Sequence, residues 1–192
     1  MANHVSSCLN FVTISEEGKK VVKQITETIQ SRDNDKYSSH LGFYFTEDLD
    51  TIDRNFMCEN VGAKWAYLTD SDDDFMAFES AWSPIEEFVE HVVAKVAEVD
   101  ESVVARYTYE DEMPNFVGVQ VYTKEGLYDA EELDNEELLE HYMAAAPELK
   151  EEYDAEEEEF TDKGYDILSD VQWECINDWQ YTRSLEMMNF DD

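Results

Sequence analysis

The sequence predicts an α+β protein: an antiparallel sheet with helices on one face, followed by an acidic, mostly helical extension. Three observations predict it. Short segments with apolar residues at alternate positions recur from Asn3 to Thr123, the period of a half-buried strand. Two segments between them carry apolar residues every three or four positions, the period of a helix with one buried face. Beyond Asp129 the apolar spacing turns helical and acidic residues crowd the chain, with Lys150 the only base from Asp129 to Glu159.

Taken in order, Asn3 to Ile14 reads as a strand with Val5, Leu9 and Phe11 on one face. Ser15 then caps a helix whose first turn holds Glu16 and Glu17, where the helix dipole favours anions. Val22, Ile25 and Ile29 form its apolar stripe. His40 to Phe45 reads as a short strand, followed by an acidic loop from Glu47 to Asp53. Val61 to Thr69 and Phe75 to Trp82 read as a hairpin with an acidic tip. Ser83-Pro84-Ile85-Glu86 has the spacing of a capping box with proline at the first helical position. Ile85, Phe88, Val89, Val92, Val93 and Val96 are the core face of the helix it opens. Val103 to Tyr109 and Phe116 to Thr123 read as two further strands.

Without one accessory strand before the hairpin and one after the second helix, the order is β-α-β-β-α-β. That is the ferredoxin-like arrangement, two helices on one face of an antiparallel sheet. We assign residues 1–125 to this domain and residues 126–192 to an acidic helical extension packed on it or appended to it. In the extension, Asp134 and Glu137 open a helix through Leu138, Leu139, Tyr142 and Met143 that stops before Pro147. Leu149 and Tyr153 begin a further turn or two. Gly164 breaks the pattern. Ile167, Leu168, Val171, Cys175 and Trp179 then suit a last amphipathic helix, with a strand over Val171–Ile176 as the alternative.

Several stretches have a familiar look. Gly62-Ala-Lys64-Trp65, Phe78-Glu-Ser-Ala81-Trp82-Ser83-Pro84 and the segment from Tyr109 to Phe116-Val-Gly118 resemble a family of phage and plasmid proteins. It is the ferredoxin-like domain family typified by a protein of an aphid-symbiont bacteriophage, with plasmid YubB-like relatives. Asn3-His4-Val5 before the first strand is similar too. The resemblance covers roughly residues 1–125, and Ala-Trp-Ser-Pro is its most specific part. Ile85 stands where a second proline is usual, and the acidic last third is an addition. The resemblance implies a ferredoxin-like fold and a mobile-element origin, and brings no catalytic residues with it.

Composition narrows the function. The 192 residues hold 48 Asp and Glu against 13 Lys and Arg, a formal net charge of −35. A disordered acidic tail is poor in aromatics, whereas this chain has 10 Phe, 11 Tyr and 4 Trp. Direct nucleic-acid binding and attachment to an anionic membrane both call for a basic surface. The three cysteines, Cys8, Cys58 and Cys175, lack metal-site spacing and read as free thiols of a reducing cytoplasm. No secretory leader and no apolar run of membrane-spanning length is evident, so a cytoplasmic location is expected, in the host cell if the chain is phage-encoded.

Familiar site motifs are missing: no glycine-rich phosphate loop, no H-E-x-x-H and no G-x-S-x-G. Neither a cofactor nor a metal is expected. Asp70-x-Asp72-x-Asp74 begins like a calcium loop, but Phe75 replaces its obligatory glycine and Ala81 its last carboxylate. His91 reads as solvated between Glu87 and Lys95. Trp65 and Trp82 read as core residues. Trp173, Trp179 and Tyr181 either pack the last helix on the sheet or form an aromatic contact patch.

The acidic surface remains. A compact chain of this length is about 42 Å across, and that length of duplex carries about 25 phosphates. A charge of −35 is of the same order. Carboxylates present oxygens to Lys and Arg much as phosphates do. The reading is therefore an acidic mimic of nucleic acid, not an enzyme, that binds and inhibits a basic nucleic-acid-binding host protein such as a defence nuclease. A homodimer is one way to complete its surface. The carboxylates assigned to it are Asp70, Asp72, Asp73 and Asp74 in the hairpin tip; Glu110, Asp111 and Glu112 in the next turn; Glu131, Glu132, Glu136, Glu137, Glu140, Glu148, Glu151, Glu152, Asp154, Glu156, Glu157, Glu158 and Glu159 in the extension. One alternative is a charge set by a saline environment. Another is an enzyme with scattered groups such as Glu79, His40 and Cys58.

Overall fold

The first strand, β1 (His4–Thr13), buries alternate side chains at Val5, Ser7, Leu9 and Phe11, as its period-two pattern requires. The structure is a computed structural model that describes residues 3–32, 38–112, 115–154 and 159–189. Helix α1 (Glu16–Ser31) follows; the Ser15 hydroxyl accepts the Gly18 N–H at 3.2 Å. A hairpin of β2 (Ala66–Ser71) and β3 (Phe75–Ala81) comes after two short helices, α2 (Gly42–Phe45) and α3 (Arg54–Asn60). Helix α4 (Glu86–Ala97) then leads to β4 (Val104–Asp111), β5 (Phe116–Thr123) and β6 (Gly126–Asp134).

The six strands form one antiparallel sheet in the order β2-β3-β1-β4-β5-β6. The first four, with α1 and α4 as crossovers, make the ferredoxin-like α+β fold, and β5 and β6 widen it. Val22, Ile25 and Ile29 of α1 meet Phe88, Val89, Val92, Val93 and Val96 of α4 over Val5, Leu9, Met76, Phe78 and Tyr107. This is the main core.

Tyr109, Gly118 and Glu132 lie in register across β4, β5 and β6. The Tyr109 ring crosses over Gly118, where a Cβ would meet it at 2.0 Å, and its hydroxyl donates to Glu132 Oε2 at 2.9 Å. Only glycine leaves room for that ring to tie β6 to β4.

Several expectations change. His40–Phe45 is not a strand: Gly42–Phe45 forms α2, and only His40 bridges to Tyr67 on β2. Three alternating apolar residues are too short a run to separate strand from helix. Helix α3 occupies the approach to the hairpin. The Asp53 carboxylate accepts the Phe56 N–H at 2.9 Å at its start, and Gly62 (φ 96°) turns the chain after its end. The strand expected from Val61 therefore begins at Ala66.

The capping box at Ser83–Glu86 does not form. The Ser83 hydroxyl donates instead to the Gly62 carbonyl at 2.8 Å, and the Ile85 N–H donates to the Tyr107 hydroxyl at 3.0 Å. Trp82 is 57% exposed rather than core, with φ at 72°; Trp65 is half-buried, edge-on to His4. His91 is half-buried between Tyr44 and Phe45 rather than solvated, and burial lowers its pKa.

The extension opens with a strand, not a helix. Gly126 (φ 102°) turns the two-residue link Lys124–Glu125 into β6. After it come α5 (Asn135–Ala145), a 3₁₀ turn at Pro147–Glu151, the short pair β7 (Tyr153–Asp154) and β8 (Glu159–Phe160), and α6 (Asp162–Met187). Gly164 does not interrupt the last helix; it lies in its first turn, close against Glu152 and Phe160. A second core joins Leu138, Tyr142, Leu149 and Ile176 to Val117 and Leu133 on the other face of the sheet. Helix α6 thus covers β5, while Ser6, Thr108 and Glu110 border an open cleft beside it, with Asn177 and Gln180 on its wall. Cys8, Cys58 and Cys175 are free thiols. Among the described residues no helix is long and apolar enough to cross a membrane.

Candidate partner-binding surface

The extension fixes its carboxylates through ordinary packing. Asp134 Oδ1 accepts the N–H groups of Glu136 and Glu137 at 2.9 and 3.0 Å, and the Glu137 side chain accepts the Asp134 N–H at 3.1 Å. This is a complete capping box. Leu138 and Tyr142 face the core, so Glu136, Glu137 and Glu140 face water. Leu149 is fully buried and pins the 3₁₀ turn, which leaves Glu148 and Glu151 exposed. Asp154 and Glu159 are exposed on β7 and β8, and Glu132 on β6.

Helix α6 is sorted into ridges four residues apart. Asp162, Asp166, Asp170, Glu174 and Asp178 form one ridge, every member exposed. The rise per step is about 6 Å, so the ridge runs about 24 Å while winding slowly around the helix. The neighbouring ridge carries Tyr165, Trp173, Tyr181 and Leu185, all 43–58% exposed. The two remaining ridges face the protein through Ile176, Gln180, Ser184 and Met187, with Trp179 partly buried beside them. The Gln180 amide donates to the carbonyls of Tyr109 and Gly118 at 3.1 and 3.2 Å, locking the helix onto β4 and β5. The three aromatic residues of the sequence reading thus divide: Trp179 packs, whereas Trp173 and Tyr181 face outward.

The acidic ridge of α6 is absent from the residues the sequence reading assigned to the site. Its signal was the four-residue acidic period, which a count of bulk charge does not register. Like charges four apart cost a helix roughly 0.2–0.5 kcal/mol per pair. Helix stability therefore does not account for the ridge.

Other assigned carboxylates fare differently. Asp111 is only 1% exposed and accepts from the amides of Asn3 and Asn115 at 2.6 and 2.7 Å. It holds the chain entry to the β4–β5 turn and cannot face a partner, which corrects its assignment. Glu110 is half-buried, and desolvation raises its pKa; Glu112 is exposed. Glu152 is tied to Lys163 and to the Thr161 hydroxyl, and Glu131 to Arg183 at 2.5 Å. Glu156, Glu157 and Glu158 lie outside the described residues.

The hairpin tip stands apart from the extension. The Asp74 carbonyl accepts the Phe11 N–H at the far end of β1, whereas Asp111 pairs with Val5 near its start. Six strand residues, about 20 Å, separate the two ends. Asp70, Asp72, Asp73 and Asp74 are exposed, but Lys19 of α1 reaches Asp73 at 3.8 Å and dilutes the tip. More exposed carboxylates lie on α5 and α6 than on the tip.

The groups of the enzyme alternative are placed as follows. Glu79 pairs with His4 on the open face of the sheet. His40 is buried, and desolvation pulls its pKa down to about 4. Cys58 is exposed on α3. Among the described residues no three His, Cys, Asp or Glu side chains converge to hold a metal ion. No family model, no curated protein and no solved structure matches the chain.

Proposed function

We propose that this chain is an acidic mimic of nucleic acid that docks on, and inhibits, a basic nucleic-acid-binding protein. The observation that carries the reading is the acidic ridge of α6 beside an aromatic ridge. The ridge spaces five carboxylates over about 24 Å, a length in which one DNA strand carries about seven phosphates. The exposed acids of α5, which packs against α6, add charge on the same side of the sheet. Trp173 and Tyr181 supply apolar anchors of the kind that concentrate binding energy in interfaces. The ridge costs helix stability, so a role in recognition explains what packing does not. The phage and plasmid resemblance of residues 1–125 suits a host target such as a defence nuclease.

The test is competition. The immobilised chain, incubated with host lysate at low salt, should retain proteins that are released by added duplex and by raised salt, because charge-steered contacts weaken with screening. Replacing Asp166, Asp170 and Glu174 with their amides should reduce that retention. If nothing retained is displaced by duplex, or if retention is indifferent to salt, mimicry is wrong.

A further inference from the structure

The acidic extension also contains a cleft of about 450 Å³ between α5, α6 and the β7–β8 pair. Its lining is unusual for so charged a region. Tyr142, Tyr153, Phe160 and Tyr165 contribute aromatic rings, and Glu112 and Gln172 contribute oxygen acceptors. The Phe160 ring lies 5.0 Å from Tyr153 and 5.8 Å from Tyr165, centroid to centroid, both inclined. The rings therefore wall a hollow instead of stacking it shut. Tyr142 is 5% exposed, and among the described residues its buried hydroxyl has no hydrogen-bond partner. Such a hydroxyl is costly, and the Tyr142 ring forms the floor of the aromatic lining.

Aromatic faces carry negative potential and attract organic cations, most strongly where the cation is partly shielded from water. Carboxylate and amide oxygens at the same cleft favour a cation that also donates hydrogen bonds. A guanidinium meets both conditions, because it is planar, stacks on rings and has five donors. The surrounding field, with Glu148, Asp154 and Glu159 exposed nearby in the chain, repels anions and concentrates cations.

We infer that this cleft receives an arginine side chain of a basic polypeptide partner. The inference rests on the reading of the chain as a binder of a basic protein, and it names the residue that partner inserts. Recognition is then not charge alone. A partner whose arginine reaches the cleft is held, and a polyamine or a diffuse basic tail is only attracted.

The experiment uses the full chain and a short probe, the amide of Gly-Arg-Arg-Gly, titrated by calorimetry and by NMR of the aromatic protons. Two controls replace arginine with its neutral isostere citrulline and with lysine. The arginine peptide should bind and shift Tyr153, Phe160 and Tyr165 resonances, the citrulline peptide should not, and lysine should bind more weakly. Tyr165→Leu keeps apolar bulk at a half-exposed position and should weaken arginine binding about 5-fold. Glu112→Gln should also weaken it, and circular dichroism should show both variants folded. Glu27→Gln with Glu90→Gln, exposed on α1 and α4 across the sheet from the cleft, should leave it within about 2-fold, since screened surface charges contribute little individually.

Equal binding of the citrulline peptide, or arginine binding indifferent to both Tyr165→Leu and Glu112→Gln, overturns the inference. The two readings separate cleanly. A peptide that binds in the cleft while no duplex-competed protein is retained supports the cleft and removes mimicry. Retention of a duplex-competed protein unaffected by Tyr165→Leu, with no peptide bound, keeps mimicry and removes the cleft.

Discussion

His40 shows how one side chain couples burial to pH. It is 5% exposed, its Nδ1 accepts the Gly42 N–H at 3.2 Å, and its ring is edge-on to Phe43 and Tyr67. Desolvation pulls its pKa from 6.5 down to about 4. The folded protein therefore keeps it neutral where the unfolded chain takes up a proton. Its contribution to stability is full above pH 6.5 and is lost as pH falls from 6.5 towards 4. His40→Gln should consequently be more damaging at pH 7.5 than at pH 5, as read from urea midpoints. A difference that does not vary with pH would contradict this account. Trp82 makes a different point. Its φ of 72° lies in the left-handed region, which costs a non-glycine residue of order 1–2 kcal/mol, and over half of its surface is exposed. Packing does not explain why so large a side chain occupies that position. Neither feature is legible in the sequence, where His40 reads as part of a strand and Trp82 as core.

At the scale of elements, the ferredoxin-like core was legible because its signals are redundant. Val22, Ile25 and Ile29 repeat at helical spacing, Val5, Leu9 and Phe11 at strand spacing, and the residues that obey each period are the buried ones. The extension was less legible for a physical reason. Strand β6 reads Gly-Leu-Tyr-Asp-Ala-Glu-Glu-Leu-Asp, poor in the β-branched residues that strands favour. It is a strand because the valine-rich β5 supplies a ladder and because Tyr109 reaches across to Glu132. Tertiary contacts overrule local preference there. The capping box at Asp134 was readable and forms; the one at Ser83 was equally readable and does not, because a loop carbonyl 21 residues away takes the hydroxyl. Helix α6 yields an element-scale prediction. Asp170→Lys would convert its contacts with Asp166 and Glu174 from like to opposite charge, worth roughly 0.2–0.5 kcal/mol per pair in an exposed helix. Thermal stability should rise while partner retention falls. A variant that loses both would show the ridge to be structural.

For the whole molecule, net charge sets the response to salt. A surface that carries −35 repels itself in the compact state, and added ions screen that repulsion over about 10 Å at 0.1 M. Folding stability should therefore rise as sodium chloride goes from 10 to about 200 mM, followed by thermal melting; a flat profile would mean that the charges are already locally compensated. The same salt should weaken the partner binding proposed above, so under that proposal the conditions that best hold the fold are those that least favour binding. Stability and affinity then move in opposite directions along one axis. The outermost strand carries a related consequence. Strand β6 ends the sheet, and among the described residues no further strand pairs with it. Its Asp129, Glu131, Glu132 and Asp134 accompany an unfinished backbone ladder. A second copy approaching along that margin would set carboxylate against carboxylate, a charge arrangement that opposes sheet pairing between copies along this nine-residue strand. A lysine- or arginine-bearing strand would meet the opposite condition, and for it the same margin is an invitation.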